Sequence, residues 1–159
     1  MLSLILIVIS GYLVGSIPTS IIAGKLLRGI DIRKHGSGNA GATNVFRVLG
    51  PKPGIAVMLI DIGKGVLATL VISSIRVDPV PLSAALVQII AGLSAVSGHI
   101  WTIFARFRGG KGVGTAAGMV FSLFPIAALI CLGVFVVIVI STRYVSIASM
   151  SSAVALPLS

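Results

Sequence analysis

Long apolar runs, separated by short basic segments rich in glycine, constrain this chain more than anything else in it. The first run covers residues 2–24, LSLILIVISGYLVGSIPTSIIAG. About 20 apolar residues cross a bilayer core. Within that core every peptide N–H and C=O must find a partner inside the segment, which makes such a run a helix. Runs 53–75 and 82–104 read the same way. Residues 112–141 are too long for one comfortable span, and Pro125 divides them into two helices, about 112–123 and 126–141. The final run, 144–159, is marginal in length for a complete span. The fold class is therefore all-α, a polytopic transmembrane helix bundle of about five to six helices, with no soluble domain.

Composition supports this and removes other classes. Hydrophobic residues make up 57% of the 159 and charged residues 9%, against roughly 25% charged in soluble domains. The net charge is +9, from 12 basic residues and three aspartates without a glutamate. In a soluble protein such an excess would suggest nucleic acid. Here the basic residues fill the gaps between apolar runs and have few aromatics beside them, so nucleic acid is excluded as a partner. The pattern fits the positive-inside bias and an attraction to anionic headgroups and anionic substrates. Cys131 is the sole cysteine and lies inside an apolar run, so no internal disulfide forms. Two His, one Cys and three Asp show no ligand spacing, so no metal and no cofactor is expected. The N-terminal run lacks a basic leader segment and is too long for a signal peptide, which leaves it as a retained helix.

The charge distribution sets an expected topology. Residues 25–52 carry Lys25, Arg28, Arg33, Lys34, Arg47 and Lys52 against Asp31. That places this connection in the cytoplasm and the N-terminus outside, with 76–81 a tight external turn and 105–114 a second cytoplasmic loop. Arg143 returns to the cytoplasm after two spans, and Trp101 is placed as an interface anchor. Gly11 and Gly15 form a small-xxx-small pair suited to packing a neighbouring helix. Pro18 kinks the first helix near its end, where Ser16, Thr19 and Ser20 can serve freed carbonyls. Around 42–49 a short helix is expected inside the first loop, starting at Asn39 or Thr43.

Two polar stretches carry the chemistry. In His35–Arg47, HGSGNAGATNVFR, glycines 36, 38 and 41 permit φ > 0 and close approach of backbone to a ligand. Ser37, Asn39, Thr43 and Asn44 offer neutral hydrogen-bonding groups, and Arg47 a fixed fork of positive charge. In Arg106–Thr115, RFRGGKGVGT, Gly109, Gly110 and Gly112 surround Lys111 at the start of a helix. Successive N–H groups and a helix N-terminus favour an anion. The pattern is not a Walker A motif, because Lys111 is followed by Gly and no strand precedes it, so nucleotide hydrolysis is a poor fit. Asp61 and Lys64, three apart on one helix face, form either a structural ion pair or part of the site wall. His99 is either a satisfied structural histidine or a residue that reaches the site. These groups can stabilise phosphate oxygens and orient a hydroxyl but supply little covalent chemistry, which suits a substrate that is already activated, such as an acyl phosphate.

Taken together, GSGNAGATNVFRVLG at 36–50, Asp61-Ile62-Gly63-Lys64-Gly65, Ser97-Gly98-His99 and FRGGKGVGTAAG at 107–118 resemble the bacterial acyl-phosphate:glycerol-3-phosphate acyltransferases, the PlsY family. GSIP at 15–18 and RYVSIAS at 143–149 look like the same family, so the resemblance covers essentially the whole chain. It implies an integral inner-membrane enzyme of phospholipid synthesis. Such an enzyme moves a fatty acyl group from acyl phosphate to the 1-hydroxyl of glycerol 3-phosphate, giving lysophosphatidic acid and phosphate, without CoA, carrier protein or covalent acyl-enzyme. On the family pattern Ser37, Arg47 and Lys111 are catalytic. Gly36, Gly38, Asn39, Thr43, Asn44, Gly109, Gly110 and Gly112 are expected to bind substrate phosphate, with Ser146 near the site. Members of the family continue into a seven-helix bundle that ends in a cytoplasmic His-Arg-x-Glu-Asn motif. This chain contains neither that segment nor any glutamate, and weak or no activity is expected of it as written. Two other classes remain: a small membrane transporter or channel subunit for an anion, gated by Asp61 and Lys64, and an inactive fragment. Acyl-chain preference and oligomeric state are not legible.

Overall fold

The computed structural model describes residues 1–156 and resolves them into eight α-helices joined by turns and loops. The chain groups into two compact units, Met1–Met119 and Val120–Ser159.

In the first unit, α1 (Leu2–Ser16) and α2 (Thr19–Arg28) are one membrane-length stretch broken at Ile17-Pro18. Proline lacks an N–H and its ring crowds the preceding turn, so the break falls where the sequence places it. Thr102 Oγ1 donates to the Ser16 carbonyl freed there. Gly29, at φ 67°, ends α2 in a left-handed cap. A 3₁₀ turn (Ile32–Lys34) leads to the short helix α3 (Ala42–Leu49), which starts at Gly41. The expected start at Asn39 or Thr43 is corrected: neither side chain caps α3. Gly41 holds the extended backbone of a cap residue, φ −136°, and so does not need the left-handed region foreseen for it.

Gly50 turns the chain into α4 (Pro51–Val66), whose proline sits at the first helical position. This span continues through a wide π turn (Leu67–Val71) and a 3₁₀ turn (Ile72–Ser74). α5 (Ala84–Ile100) is capped by Ser83, which accepts the Leu86 N–H at 3.3 Å. α6 (Val113–Leu123) follows the second basic loop. At the opposite end of the unit, Asp78 accepts the N–H groups of Leu2 and Ser3, each at 2.8 Å, which α1 cannot serve from within.

Glycine sets how closely these helices approach. A Cβ at Gly15 would sit 2.0 Å from the Ala95 carbonyl oxygen, and one at Gly98 would sit 2.1 Å from that of Tyr12. The pair Gly11 and Gly15 therefore packs α1 on α5, as the sequence foresaw. Gly65 meets the Thr115 carbonyl and Gly118 that of Ile62 in the same way, drawing α4 against α6. Two apolar clusters result. Ile7, Ala68, Ile72, Val87, Ala91 and Ala95 lie among the helices. Ile21, Ile32, Val45, Leu49, Val57 and Ala105 lie under the polar loops.

The second unit contains α7 (Pro125–Thr142) and α8 (Val145–Ala155), divided from α6 at Pro125 as expected. Ala148 of α8 is buried, and the Ser152 hydroxyl of α8 lies 3.0 Å from the Cys131 carbonyl of α7. Ser146 stands exposed in the first turn of α8. Large apolar side chains face outward all along α7, among them Ile126, Leu129, Val137 and Ile140. In water such a surface would be an unpaired patch; in lipid it is the ordinary exterior of a span. Four helical stretches are long and apolar enough to cross a membrane: Leu2–Arg28, Pro51–Ser74, Ala84–Ala105 and Pro125–Thr142.

Candidate active site at the paired loops

The two glycine-and-cation segments, about seventy positions apart in the chain, meet at one end of the first unit. Arg33 of the first connection donates through Nη1 to the Ala105 carbonyl of the second at 3.0 Å. Its other guanidinium nitrogens hold Asp31, with Nη2–Oδ2 2.8 Å and Nε–Oδ1 3.0 Å. That pairing draws the Asp31 carboxyl down from 3.8 to about 2 and raises the Arg33 guanidinium further. Deeper in, Ala40 and Gly110 touch: a Cβ on Gly110 would lie 2.7 Å from the Ala40 carbonyl oxygen. Arg33 was read from the sequence only as one more positive charge. Its bridging role had no signal beyond the Asp31 two residues before it.

The first loop is built around Asn44. This residue is buried, its Oδ1 accepts the Ser37 N–H at 2.8 Å, and its Nδ2 donates to the carbonyls of Ile32 and His35 at 3.1 and 3.0 Å. The expectation that Asn44 binds substrate is corrected, because its amide is committed within the loop. Gly36 and Gly38 take φ of 60° and 74°, as foreseen. At Gly36 a side chain would also strike Asn44 Oδ1 at 2.3 Å. The result presents Ser37, Thr43 and Arg47 on the exposed side, with Asn39 half-buried over Gly41.

The second loop is held by its backbone. Gly109 N–H donates to the Ile100 carbonyl at 3.0 Å and Gly110 N–H to that of His99 at 3.1 Å. Both face the end of α5, so the expectation that these two N–H groups cradle an anion is corrected. Donors that remain at this loop include the exposed Lys111 side chain, the exposed guanidinium groups of Arg106 and Arg108, and the first turn of α6, whose N–H groups have no carbonyl within the helix to reach. Gly112, at φ 76°, makes the turn into that helix.

Behind the loops lies a buried polar cluster. Asp61 Oδ1 accepts Lys64 Nζ at 2.8 Å and Thr19 Oγ1 at 2.6 Å, and stands 3.6 Å from His99 Nδ1. Lys64 Nζ also donates to the Ile17 carbonyl exposed at the helix break, at 2.6 Å. The Asp61–Lys64 pair thus satisfies the break while remaining buried. A small cavity of about 10 Å³, room for about one water molecule, opens beside it. Thr19, His99, Ala40, Thr102 and Gly109 are among its walls. Sequence reading missed Thr102 and gave Thr19 only as a hydroxyl for carbonyls freed at the break, whereas that hydroxyl donates to Asp61.

Membrane-length apolar helices carrying paired cationic glycine loops at one end define a polytopic membrane protein equipped to receive a phosphorylated ligand. A family model described as glycerol-3-phosphate acyltransferase matches residues 5–159, and the chain belongs to that family. A glycerol-3-phosphate acyltransferase of Chlorobium phaeobacteroides is 54% identical over 162 residues, covering 99% of this chain and 69% of the relative. One from Pelodictyon phaeoclathratiforme is 52% identical, with 99% and 69% covered. Among solved structures, the glycerol 3-phosphate form of PlsY (YgiH), an integral membrane glycerol 3-phosphate acyltransferase, superposes with a TM-score of 0.86 at 41% identity, covering 98% of this chain and 75% of that one. Its lysophosphatidic acid form gives 0.83 at 40% identity, with 98% and 74% covered.

Proposed function

We infer that this protein transfers a fatty acyl group from acyl phosphate to the 1-hydroxyl of glycerol 3-phosphate, releasing lysophosphatidic acid and inorganic phosphate. The observation that carries the reading is the meeting of the two loops, through Arg33 with Ala105 and Ala40 with Gly110, at one end of a lipid-exposed bundle. Family membership supports glycerol 3-phosphate as the acceptor, and acyl phosphate as donor fits a site that offers cations and hydrogen-bonding groups but little covalent chemistry. Arg47 and Lys111 hold phosphate, assisted by the first-turn N–H groups of α6. Ser37, fixed through its own N–H by Asn44, and Asn39 orient the acyl phosphate. The glycerol hydroxyl oxygen attacks the acyl carbonyl carbon, a C–O bond to glycerol forms, and the bond from that carbon to the phosphate oxygen breaks. The hydroxyl proton passes to a substrate phosphate oxygen. Acyl phosphate carries its own leaving group, so positioning and charge stabilisation suffice. The protein sits in the bacterial inner membrane with its N-terminus outside and both loops in the cytoplasm, following its basic residues.

The test is phosphate release from palmitoyl phosphate that depends on glycerol 3-phosphate. Ser37→Ala and Lys111→Ala should each lower it by about a hundredfold, the usual cost of one donor to a developing anion. Wild-type turnover in both variants would defeat the assignment. Anion flux across vesicles without any acyl transfer would replace it with the transporter reading.

A further inference from the structure

We propose that His99 is the positioning residue of the second loop, tying the place of Lys111 to the buried Asp61 cluster; this rests on the reading that Lys111 holds substrate phosphate. Three observations converge on His99. Its carbonyl accepts the Gly110 N–H at 3.1 Å, which fixes the backbone next to Lys111. Its ring backs the same glycine, because a Cβ on Gly110 would fall 2.3 Å from His99 Nε2. The far side of the ring faces Asp61, with Nδ1 at 3.6 Å from Oδ1.

Asp61 in turn gathers Thr19 from α2 and Lys64 from its own helix α4. The imidazole therefore stands as a spacer between a charged pair shared by α2, α4 and the break before α2, and the glycine preceding the exposed lysine. Both ring and pair are buried. A shift of any of these helices would be passed to the loop through packed atoms that have little room to yield. Burial behind Gly110 also separates His99 from the exposed side of the loop, which argues for support of the loop over contact with reacting atoms.

The experiment is a double-mutant cycle read as the Kd of glycerol 3-phosphate, by titration calorimetry on the full protein in detergent well below its melting point. Lys111→Ala alone should weaken binding. If it does not, the reading of Lys111 fails before His99 is judged. Given that loss, His99→Ala should weaken binding about tenfold in the native background and add less than about threefold in the Lys111→Ala background, because the two act through one element. His99→Gln, which can still face both Gly110 and Asp61, should stay within about threefold of native. His99→Met, which fills similar space without a polar group, should fall with the alanine variant. Should the alanine variant not fold, the Gln and Met pair decides. Unchanged Kd with only a lower melting point, full additivity with Lys111→Ala, or equal binding by the Gln and Met variants would each overturn the proposal.

Discussion

The two loops that face each other across the candidate site are shaped by different means. The first, between α2 and α4, is shaped by side chains: Asn44 closes it from within, and Arg33 ties it to Asp31 and to its neighbour. The second, between α5 and α6, is shaped by main chain pressed on main chain, Gly109 and Gly110 against the last carbonyls of α5. A side-chain anchor can be trimmed and leave a loosened loop. A backbone contact between glycine and carbonyl has no atom to give up, and any side chain introduced there must displace a helix end. The second loop should therefore tolerate far less change at its glycines than the first does at its anchors.

The largest expected effect is Gly109→Ala. Its Cβ would lie 1.9 Å from the His99 carbonyl oxygen and 2.7 Å from that of Ile100, both backbone atoms. Displacing the loop by about an ångström should cost about a hundredfold in glycerol 3-phosphate-dependent phosphate release. Near-native turnover in this variant would break the contrast between the loops outright. Next comes Asn44→Ala, which strands the Ser37 N–H and two carbonyls. One of those carbonyl contacts is fully buried, and a stability loss of about 2 kcal/mol is expected from unmet polar groups. Chemical denaturation in detergent measures it, and activity should fall less than in the Gly109 variant.

This difference also marks what could be read from sequence. Spans, the breaks at Pro18 and Pro125 and the helix over 42–49 follow from local rules: apolar length, missing N–H groups, charge bias. The short-range pair Asp61 and Lys64 followed from helical periodicity. The direction in which the Gly109 and Gly110 N–H groups point did not, because it depends on where α5 ends in space. Asn44 was read as a ligand for the same reason: an amide in a polar loop has identical local sequence whether it faces a substrate or three backbone groups. Arg33 and Thr19 acquire their roles only from partners 72 and 42 positions away.

A smaller effect separates the Arg33 fork from simple charge. Arg33→Lys keeps the sign but cannot hold Asp31 with two nitrogens while a third serves Ala105, and about 1 kcal/mol should be lost. Acid sharpens the point. The Asp31 carboxyl is held at about 2 in the folded protein against an ordinary 3.8. A depressed carboxylate contributes its stability fully above the unfolded value and loses it as pH falls through the folded one. The melting point of the native protein should drop between about pH 4 and pH 2 more steeply than that of Asp31→Asn, which has no such carboxylate to protonate. Parallel curves for the two would show that the ion pair does not hold the loop.

The smallest expected effect tests whether Gly29 serves conformation where Gly109 serves space. Gly29 has φ 67°, and a Cβ there would meet nothing within 4 Å. Only backbone strain opposes a side chain, so Gly29→Ala should cost about 1 kcal/mol, the penalty of a left-handed residue with a Cβ. Gly29→Asn should recover part of that loss, since asparagine enters this region more readily and can close a helix in the same way. The corresponding change at Gly109 has no such remedy: asparagine brings the same Cβ toward the same carbonyl, and no preference in φ relieves a contact of 1.9 Å. Melting points of the four variants in one detergent would show the pattern directly, recovery by asparagine at position 29 and none at position 109. Equal recovery at both positions would mean that strain, and not lack of room, governs the second loop as well.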